Sequence, residues 1–390
     1  MLNDVYYNPT KVFFGKGVEN EIGKEAVKYA DKALLHYGSG SAKKSGLADR
    51  VKKSLEGAGI TVFELSGAQS NPRLNLALEG AEICKKENIG LVVAVGGGSV
   101  IDSAKTIAAA AVNDDVWERF FVKKEEIEKT LPVAVVLTIP GAGSESSNGM
   151  VITKDDTMEK LDAGGDVCPP VMSFLNPEIT FTVPAYHTAA GVVDAIAHIM
   201  ERYFTNTTEV DVTDRMCEGV MRTLIKYAKT VVNDPFNYDA RSEIMWACKV
   251  AHDNSLGFGR EQDWASHMIE HELSAIYDVS HGAGLAVIFP AWMKYVMPHN
   301  IERFAQFAMR VFDIEYRIED PRWTAMMGIK KFIWFCQSVN MPTSLQQMGI
   351  TENDNIEVMA AACAKHNGGS VGSFVRLYEE DIKNILELAF

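Results

Sequence analysis

Short apolar runs and longer amphipathic segments take turns along the first third of the chain. Lys11-Val12-Phe13-Phe14-Gly15 reads as a strand ending at a glycine, Glu19 to Ala30 as a helix, and Ala33 to Tyr37 as a buried strand. A helix over 46–58, a strand over 61–65 and a helix over 74–87 follow. Leu91-Val92-Val93-Ala94-Val95 is the strongest strand signal, and it runs straight into Gly96-Gly97-Gly98-Ser99, where a helix carrying Asp102 and Lys105 begins and extends toward Val112. Val133 to Thr138 is a further strand. This alternation predicts an α/β fold with a parallel, doubly wound, Rossmann-like sheet, which binds ligands at the carboxyl ends of its strands. From His187 onward strand signals disappear, and amphipathic blocks at 191–203, 210–230, 240–254 and 264–277 predict an all-α second half. Around Pro169-Pro170 and Pro184 the texture changes, so the expected domains are 1–181 and 182–390.

Two turns after buried strands are suited to a phosphate. Gly38-Ser39-Gly40-Ser41 and Gly96-Gly97-Gly98-Ser99 let backbone N–H groups approach an anion, and the helix start behind each adds partial positive charge. Plain strand-to-helix turns also use glycine, and neither loop is the G-x-G-x-x-G fingerprint. Two such loops on one sheet fit a dinucleotide better than either does alone. A third small-residue turn, Ile139 to Glu145, follows Thr138, and Lys160 lies in a polar stretch, 154–166, that reads as a hairpin or a flexible loop.

In the helical half, imidazoles collect. Asp194 and His198 are four apart on a helical pattern, as are His267 and His271, so each pair leaves one face of its helix a turn apart. His281-Gly282-Ala283-Gly284 opens the next segment. Five of the nine histidines lie between His198 and His281. A carboxylate and imidazoles converging from these clusters would form a mixed O/N site for a divalent transition metal. Each pair taken alone also suits a surface hydrogen bond or a satisfied core histidine.

Charge and cysteine usage narrow the function classes. With 38 basic against 52 acidic residues the net charge is −14, which repels nucleic acid and anionic membranes. No apolar stretch is long enough to span a bilayer, and Met1-Leu2-Asn3-Asp4 lacks a basic region followed by an apolar run, so a cytoplasmic protein is expected. Six scattered cysteines without C-x-x-C read as packing thiols of a reducing compartment.

The chain resembles the iron-containing, group III alcohol dehydrogenases, and within them looks most like the butanol dehydrogenase and broad-range aldehyde reductase branch. The likeness spans nearly the whole length: Asn8-Pro9-Thr10 with Phe14-Gly15, Gly96 to Ser99 with Asp102 and Lys105, Thr138-Ile139-Pro140 with Gly143-Ser144-Glu145, Gly191 to Asp194 with His198 and Glu201, then His267, His271 and Ser280-His281-Gly282. It implies a dinucleotide-binding first domain and a helical metal-binding, catalytic second domain. It implies Asp194, His198, His267 and His281 as metal ligands, His267 and His271 as the catalytic histidines, and His271 as an active-site histidine outside the ligand set. Gly96, Gly97, Gly98 and Ser99 would cradle the pyrophosphate, with Asp102 in the helix behind them as a further cofactor contact. Thr138 and Gly143 would line the cofactor, Lys160 would approach it, and Asn71 would lie near the adenosine. Gly141-Ala142 stands where the family usually has Ala-Thr, which removes one hydroxyl, and Asn176-Pro177 where it has Asp-Pro.

The implied reaction is reversible hydride transfer between a nicotinamide and small primary alcohols or aldehydes, with the metal as Lewis acid. His271 would relay a proton or orient a ligand. Gly38 to Ser41 contain no acid, and Lys43 and Lys44 follow, which favours NADP(H) over NAD(H). The ligand set suits Fe(II) and Zn(II) alike. Trp264 and Phe258 suggest an apolar pocket. A homodimer is expected from the likeness. The competing readings are a polyol (glycerol-type) dehydrogenase or a dehydroquinate-synthase-like enzyme on the same scaffold, and a non-catalytic scaffold module.

Overall fold

The apolar runs of the first half become eight strands: β1 (Lys11–Phe14), β2 (Lys32–Gly38), β3 (Thr61–Ala68), β4 (Leu91–Gly96), β5 (Val133–Leu137), β6 (Gly149–Thr153), β7 (Lys160–Gly164) and β8 (Met172–Leu175). This computed structural model describes residues 1–390. Six of the strands form one parallel sheet in the order β1-β8-β5-β4-β2-β3, and β6 and β7 form a separate antiparallel hairpin. Helices α1 (Ile22–Ala26), α2 (Ser41–Lys44), α3 (Leu47–Gly57), α4 (Leu74–Glu87) and α5 (Gly98–Ala110) connect the first five strands. Every residue of β4 is buried, and each such Val or Leu stabilises the fold by ~1.5–3 kcal/mol. Leu35, Val93, Val95, Ala134, Val136 and Phe174 share one apolar cluster with Val51 and Leu55 of α3, which is the sheet's pact with its covering helix.

The chain runs outward from β2 to β3, returns past β2 to β4, and then runs the other way to β5. The strand order therefore reverses between β2 and β4, where Tyr37 pairs with Val95. Loops 38–41 and 96–99 leave the carboxyl ends of these two neighbours, at the switch point where open α/β sheets bind ligands.

Two local features differ from the sequence expectation, and one open choice is resolved. The helix expected over Glu19–Ala30 is a 3-10 turn (Val18–Glu21) followed by the short α1. Its end tightens through Lys28 to Glu25 and Tyr29 to Ala26 bonds, which turn the chain toward β2. β8, whose apolar run is interrupted by Ser173, had no clear strand signal; it sits between β1 and β5, and Ser173 donates to the Glu145 carbonyl at 2.5 Å. The polar stretch around Lys160 contributes the second strand of the hairpin, with Lys160 opposite Thr153.

His36 sits inside β2, fully buried. Its Nδ1–H donates to the Leu65 carbonyl at 3.0 Å, and its Nε2 accepts from the Ser103 hydroxyl at 2.9 Å. Burial lowers its pKa from the usual 6.5 to about 4. Between those values the unfolded chain carries a proton that the native protein refuses. The stability present at neutral pH is thus lost as pH falls, by ~3 kcal/mol once pH is below the native value. Urea unfolding of wild type and His36→Gln at pH 7 and pH 4.5 checks this: the variant should lack that increment, and an identical pH dependence in both proteins would sink the idea.

The second half is helical: α6 (Ala185–Tyr203), α7 (Asp211–Asn233), α8 (Tyr238–His252), α9 (Ala265–Tyr277), α10 (His281–Val296), α11 (Ile301–Phe312), α12 (Pro321–Ser338), α13 (Ile356–His366) and α14 (Glu379–Ala389). The apolar stripes meet in one core in which Phe204 stacks on Phe304 at 4.5 Å and meets Trp292 edge-on at 5.5 Å. Asp320 accepts from the Trp323 amide ahead of Pro321, and Asn300 from the Arg303 amide, so α12 and α11 start where side-chain caps allow. The chain divides into the compact units Tyr7–Val183 and Pro184–Phe390, and Met1–Tyr6 belong to the second. The first six residues were expected with the sheet. They join the helices because the Leu2 amide donates to the Gly259 carbonyl at 2.8 Å and the Gly259 amide to Asp4 Oδ2 at 2.8 Å. No helix is long and apolar enough to cross a membrane. All six cysteines are buried and none forms a disulfide.

Candidate metal centre and cofactor loops

The three histidine clusters converge. Asp194 and His198 lie one turn apart on α6, His267 and His271 one turn apart on α9, and His281 is the first residue of α10. His198 Nε2 is 3.3 Å from Asp194 Oδ1, and His281 Nε2 is 3.9 Å from the same oxygen. Asp194, His267 and His281 each bring one donor atom within 4.8 Å of the others. Donors of a tetrahedral site with bonds of about 2.0–2.2 Å lie ~3.3–3.6 Å apart, so these spacings suit one ion.

The buried nitrogens make the fit specific. His198 Nε2 and His267 Nε2 have no hydrogen-bond partner, a costly condition for buried polar atoms that an ion would relieve. Burial holds His198 well below its usual range, helped by its neighbour His267, and burial lowers His267 to about 3. Both imidazoles are therefore neutral, the form that binds metal. The residues present fit a divalent ion.

Two carboxylates that sequence reasoning gave no role complete the arrangement. His267 Nδ1 lies 2.7 Å from Glu201 Oε1, and His281 Nδ1 hydrogen-bonds Glu270 Oε2. Burial raises Glu201 to about 8. Glu201 follows His198 by three residues and Glu270 follows His267 by three, also neighbouring positions on a helix face, so helical spacing carries a signal for both. His252 is a further residue of this neighbourhood: its ring lies 4.1 Å from that of His198, and its Nδ1 meets Arg202 Nη2 at 2.9 Å. The Trp264 ring packs edge-on against His267 at 5.1 Å and His198 at 5.6 Å. His271 is buried with its ring 5.5 Å from that of His281.

The cofactor loops lie in the sheet unit. Gly96 ends β4, and Gly97 precedes α5 with no side-chain cap on that helix, which leaves its first amides available to an anion. A β-carbon at Gly97 would lie 3.2 Å from Ile139 Cβ, tighter than an ordinary contact, so glycine there eases the approach of the third turn to this loop. The Thr138 amide donates to the Gly96 carbonyl at 3.0 Å, joining the two turns. Gly143, at φ 65°, supplies the left-handed residue that this turn needs before Ser144. Gly38, Ser39, Gly40 and Ser41 are partly or fully exposed at the end of β2, and Asn71 at φ 53° follows β3.

Asp102, expected among the cofactor contacts, has protein partners for both oxygens: the Ser144 hydroxyl at 2.5 Å and the Val151 amide at 3.0 Å. Its observed work is to pin the third turn and the β6–β7 hairpin to α5. Lys105 does the same through the Ser147 and Gly149 carbonyls at 2.9 and 2.8 Å. Lys160 is buried in the hairpin. Lys43 bonds Asp49 at 2.6 Å and lies 3.6 Å from Glu64, while Lys44 Nζ is 3.9 Å from the point a β-carbon on Gly40 would occupy. Of the two lysines behind the loop, Lys44 alone lies over it.

Residues 9–177 match the family described as Iron-containing alcohol dehydrogenase, and residues 188–390 match Fe-containing alcohol dehydrogenase family, C-terminal. The chain is 39% identical over 393 residues to NADH-dependent butanol dehydrogenase A of Clostridium acetobutylicum, covering 100% of both chains. It is 33% identical over 375 residues to an NADPH-dependent aldehyde reductase of Escherichia coli, covering 95% of each. The crystal structure of NADH-dependent butanol dehydrogenase A from Thermotoga maritima superposes with a TM-score of 0.95 at 39% identity, over 100% of this chain and 99% of that one.

Proposed function

The chain belongs to the iron-containing alcohol dehydrogenase family and is an NAD(P)-dependent alcohol dehydrogenase, and from that premise we propose its ligand set, cofactor preference and substrates. One divalent ion, Fe(II) or Zn(II), is held by Asp194, His198, His267 and His281. NADP(H) is preferred to NAD(H). The substrates are small, unbranched primary alcohols and their aldehydes, of the butanol and butyraldehyde kind. The observation that carries this reading is the convergence of Asp194 with three imidazoles, two of them buried with Nε2 unpartnered.

When bound, the ion supplies Lewis acidity to the substrate's oxygen, and the nicotinamide supplies or takes the hydride. The protein's share is position and charge. Burial keeps His198 and His267 neutral, and Glu201 fixes the ring of His267. His271, a turn along α9 from His267, carries the proton to or from the substrate's oxygen. Trp264 supplies an apolar wall beside the ligands.

The polyol and dehydroquinate-synthase-like readings need cations free to meet a polar or anionic substrate. Arg202 is held by His198 and His252, Arg215 by Asp211 and Glu218, and Arg222 by Asp313. Lys226 bonds the Tyr227 hydroxyl, and Arg260 pairs with Asp214. These five basic side chains of the helical half all have protein partners, which supports the apolar substrate. The same reading takes the enzyme as a cytoplasmic homodimer, checked by sedimentation velocity.

NADP(H) preference rests on a loop with no acid and on Lys44 above it. The relatives divide on this point, one named for NADPH and two for NADH. The test follows absorbance loss with butyraldehyde and NADPH or NADH, on metal-stripped protein resupplied separately with Zn(II) and Fe(II). Turnover should require metal and favour NADPH, and Lys44→Glu should lower kcat/KM for NADPH by ~10-fold or more while sparing NADH. A wild type that prefers NADH sinks the cofactor assignment; turnover that ignores metal sinks the site.

A further inference from the structure

Which nitrogen each ligand imidazole offers is not decided by the four ligands themselves. Two fully buried carboxylates decide it, each reaching from one helix to a histidine on another. Glu201 on α6 sits against the start of α9, where Oε1 takes the His267 amide at 3.0 Å and the His267 ring, and Oε2 takes the Trp264 amide at 2.8 Å. Glu270 on α9 sits against the start of α10, where Oε2 pairs with His281 Nδ1 and Oε1 accepts from the Ser274 hydroxyl. Glu201 takes backbone amides on both oxygens and Glu270 takes the Ser274 hydroxyl, so each faces its histidine as an acceptor, Nδ1 is the protonated nitrogen in both rings and Nε2 is left with its lone pair.

We infer that Glu201 and Glu270 are the positioning residues of this centre, each holding the Nδ1 proton of one histidine and so committing its Nε2 to the metal. The inference rests on the metal reading given above. His198 lacks such a partner: its Nδ1 has no hydrogen bond, and its ring is packed between the tilted rings of His252 at 4.1 Å and His267 at 4.5 Å. Control by carboxylate is therefore confined to the ligands on α9 and α10.

Helix capping alone does not account for the pair. Glu201 does cap α9, but Glu270 lies inside that helix, where the backbone needs no cap. The fold also reserves space for it on the neighbouring helix. A β-carbon at Gly284 would lie 2.4 Å from Glu270 Oε1 and 2.7 Å from its Cγ, so only glycine there lets the carboxylate lie against the first turn of α10 beside His281. Gly284→Ala should displace Glu270 without touching any ligand.

The test measures metal binding directly. Zn(II) affinity is read by competition with a chromophoric chelator, and ligand geometry by the visible absorption of the Co(II)-loaded protein, for wild type, Glu201→Gln, Glu270→Gln and Gly284→Ala. Each variant should bind Zn(II) ~10–100-fold more weakly and show an altered Co(II) spectrum. NADPH binding, followed by its fluorescence, should be unchanged and shows that the sheet unit is folded. Variants that match wild type in Zn(II) affinity and Co(II) spectrum overturn the inference, even if their thermal midpoints fall, because that pattern belongs to a merely structural carboxylate. A wild type that binds neither ion overturns the metal reading instead, which keeps the two failures apart. Loss of affinity in Glu270→Gln and Gly284→Ala alike would support the positioning role through a residue that meets no ligand.

Discussion

Replacing His267 with alanine is expected to lower aldehyde reduction by ~10³-fold or more at saturating metal, the rate equivalent of losing ~4 kcal/mol of Lewis-acid stabilisation. The size follows from where the ring stands. His267 is 3% exposed, its Nδ1 is held by Glu201, and its Nε2 is buried without a protein partner. Alanine removes a donor from the centre and also leaves the Glu201 carboxylate, already raised by burial, without the ring that meets it. The site then has three donors and an unrelieved buried acid. Metal content by elemental analysis should fall with turnover, while NADPH binding persists. A variant that keeps full metal and turns over within an order of magnitude of wild type would remove His267 from the ligand set.

Gly282→Ala is expected to be severely damaging, although it adds a single methyl. A β-carbon there would lie 2.1 Å from the Ala190 carbonyl oxygen, 2.7 Å from its carbon and 3.2 Å from its Cα. All three are backbone atoms of α6, so no side chain can swing aside, and α10 must move away from α6. Overpacking costs typically 1–3 kcal/mol, and with backbone on both sides the expected loss is ~3 kcal/mol or more. His281 is the adjacent residue and would move with the helix, away from Asp194. Turnover and Zn(II) affinity should therefore fall together with the urea midpoint. Gly219, inside α7 with nothing within 4 Å of a β-carbon, is the control: Gly219→Ala should stabilise by ~0.5–1 kcal/mol. Equal stability for the two alanine variants would show that α10 does not need its close approach to α6.

Much of this architecture is legible in the sequence, and the reason is physical. Strand and helix periods report which side chains share a face, and faces are local. The runs at Ala33–Tyr37 and Leu91–Val95 are the observed β2 and β4, and their glycine loops stand at the switch point of the sheet. The i,i+4 spacing placed Asp194 with His198 and His267 with His271 on single helical faces, as found. Where a segment lacked a clean period, the reading weakened: β8, interrupted by Ser173, is held in place by β1 and β5 and had no signal of its own.

What the sequence determined by itself was the local geometry: the elements, the loops between them and the side chains that each helix turns to one side. What only the tertiary structure decided were the partnerships. Glu201 meets His267 across 66 residues and Asp102 meets Ser144 across 42, distances over which no periodicity carries information. Likewise Lys43 proved to be engaged by Asp49 and Glu64, leaving Lys44 over the loop, and Met1–Tyr6 joined the helices. A period of two or 3.6 residues orients a side chain relative to its own backbone; which buried group satisfies it depends on packing between elements.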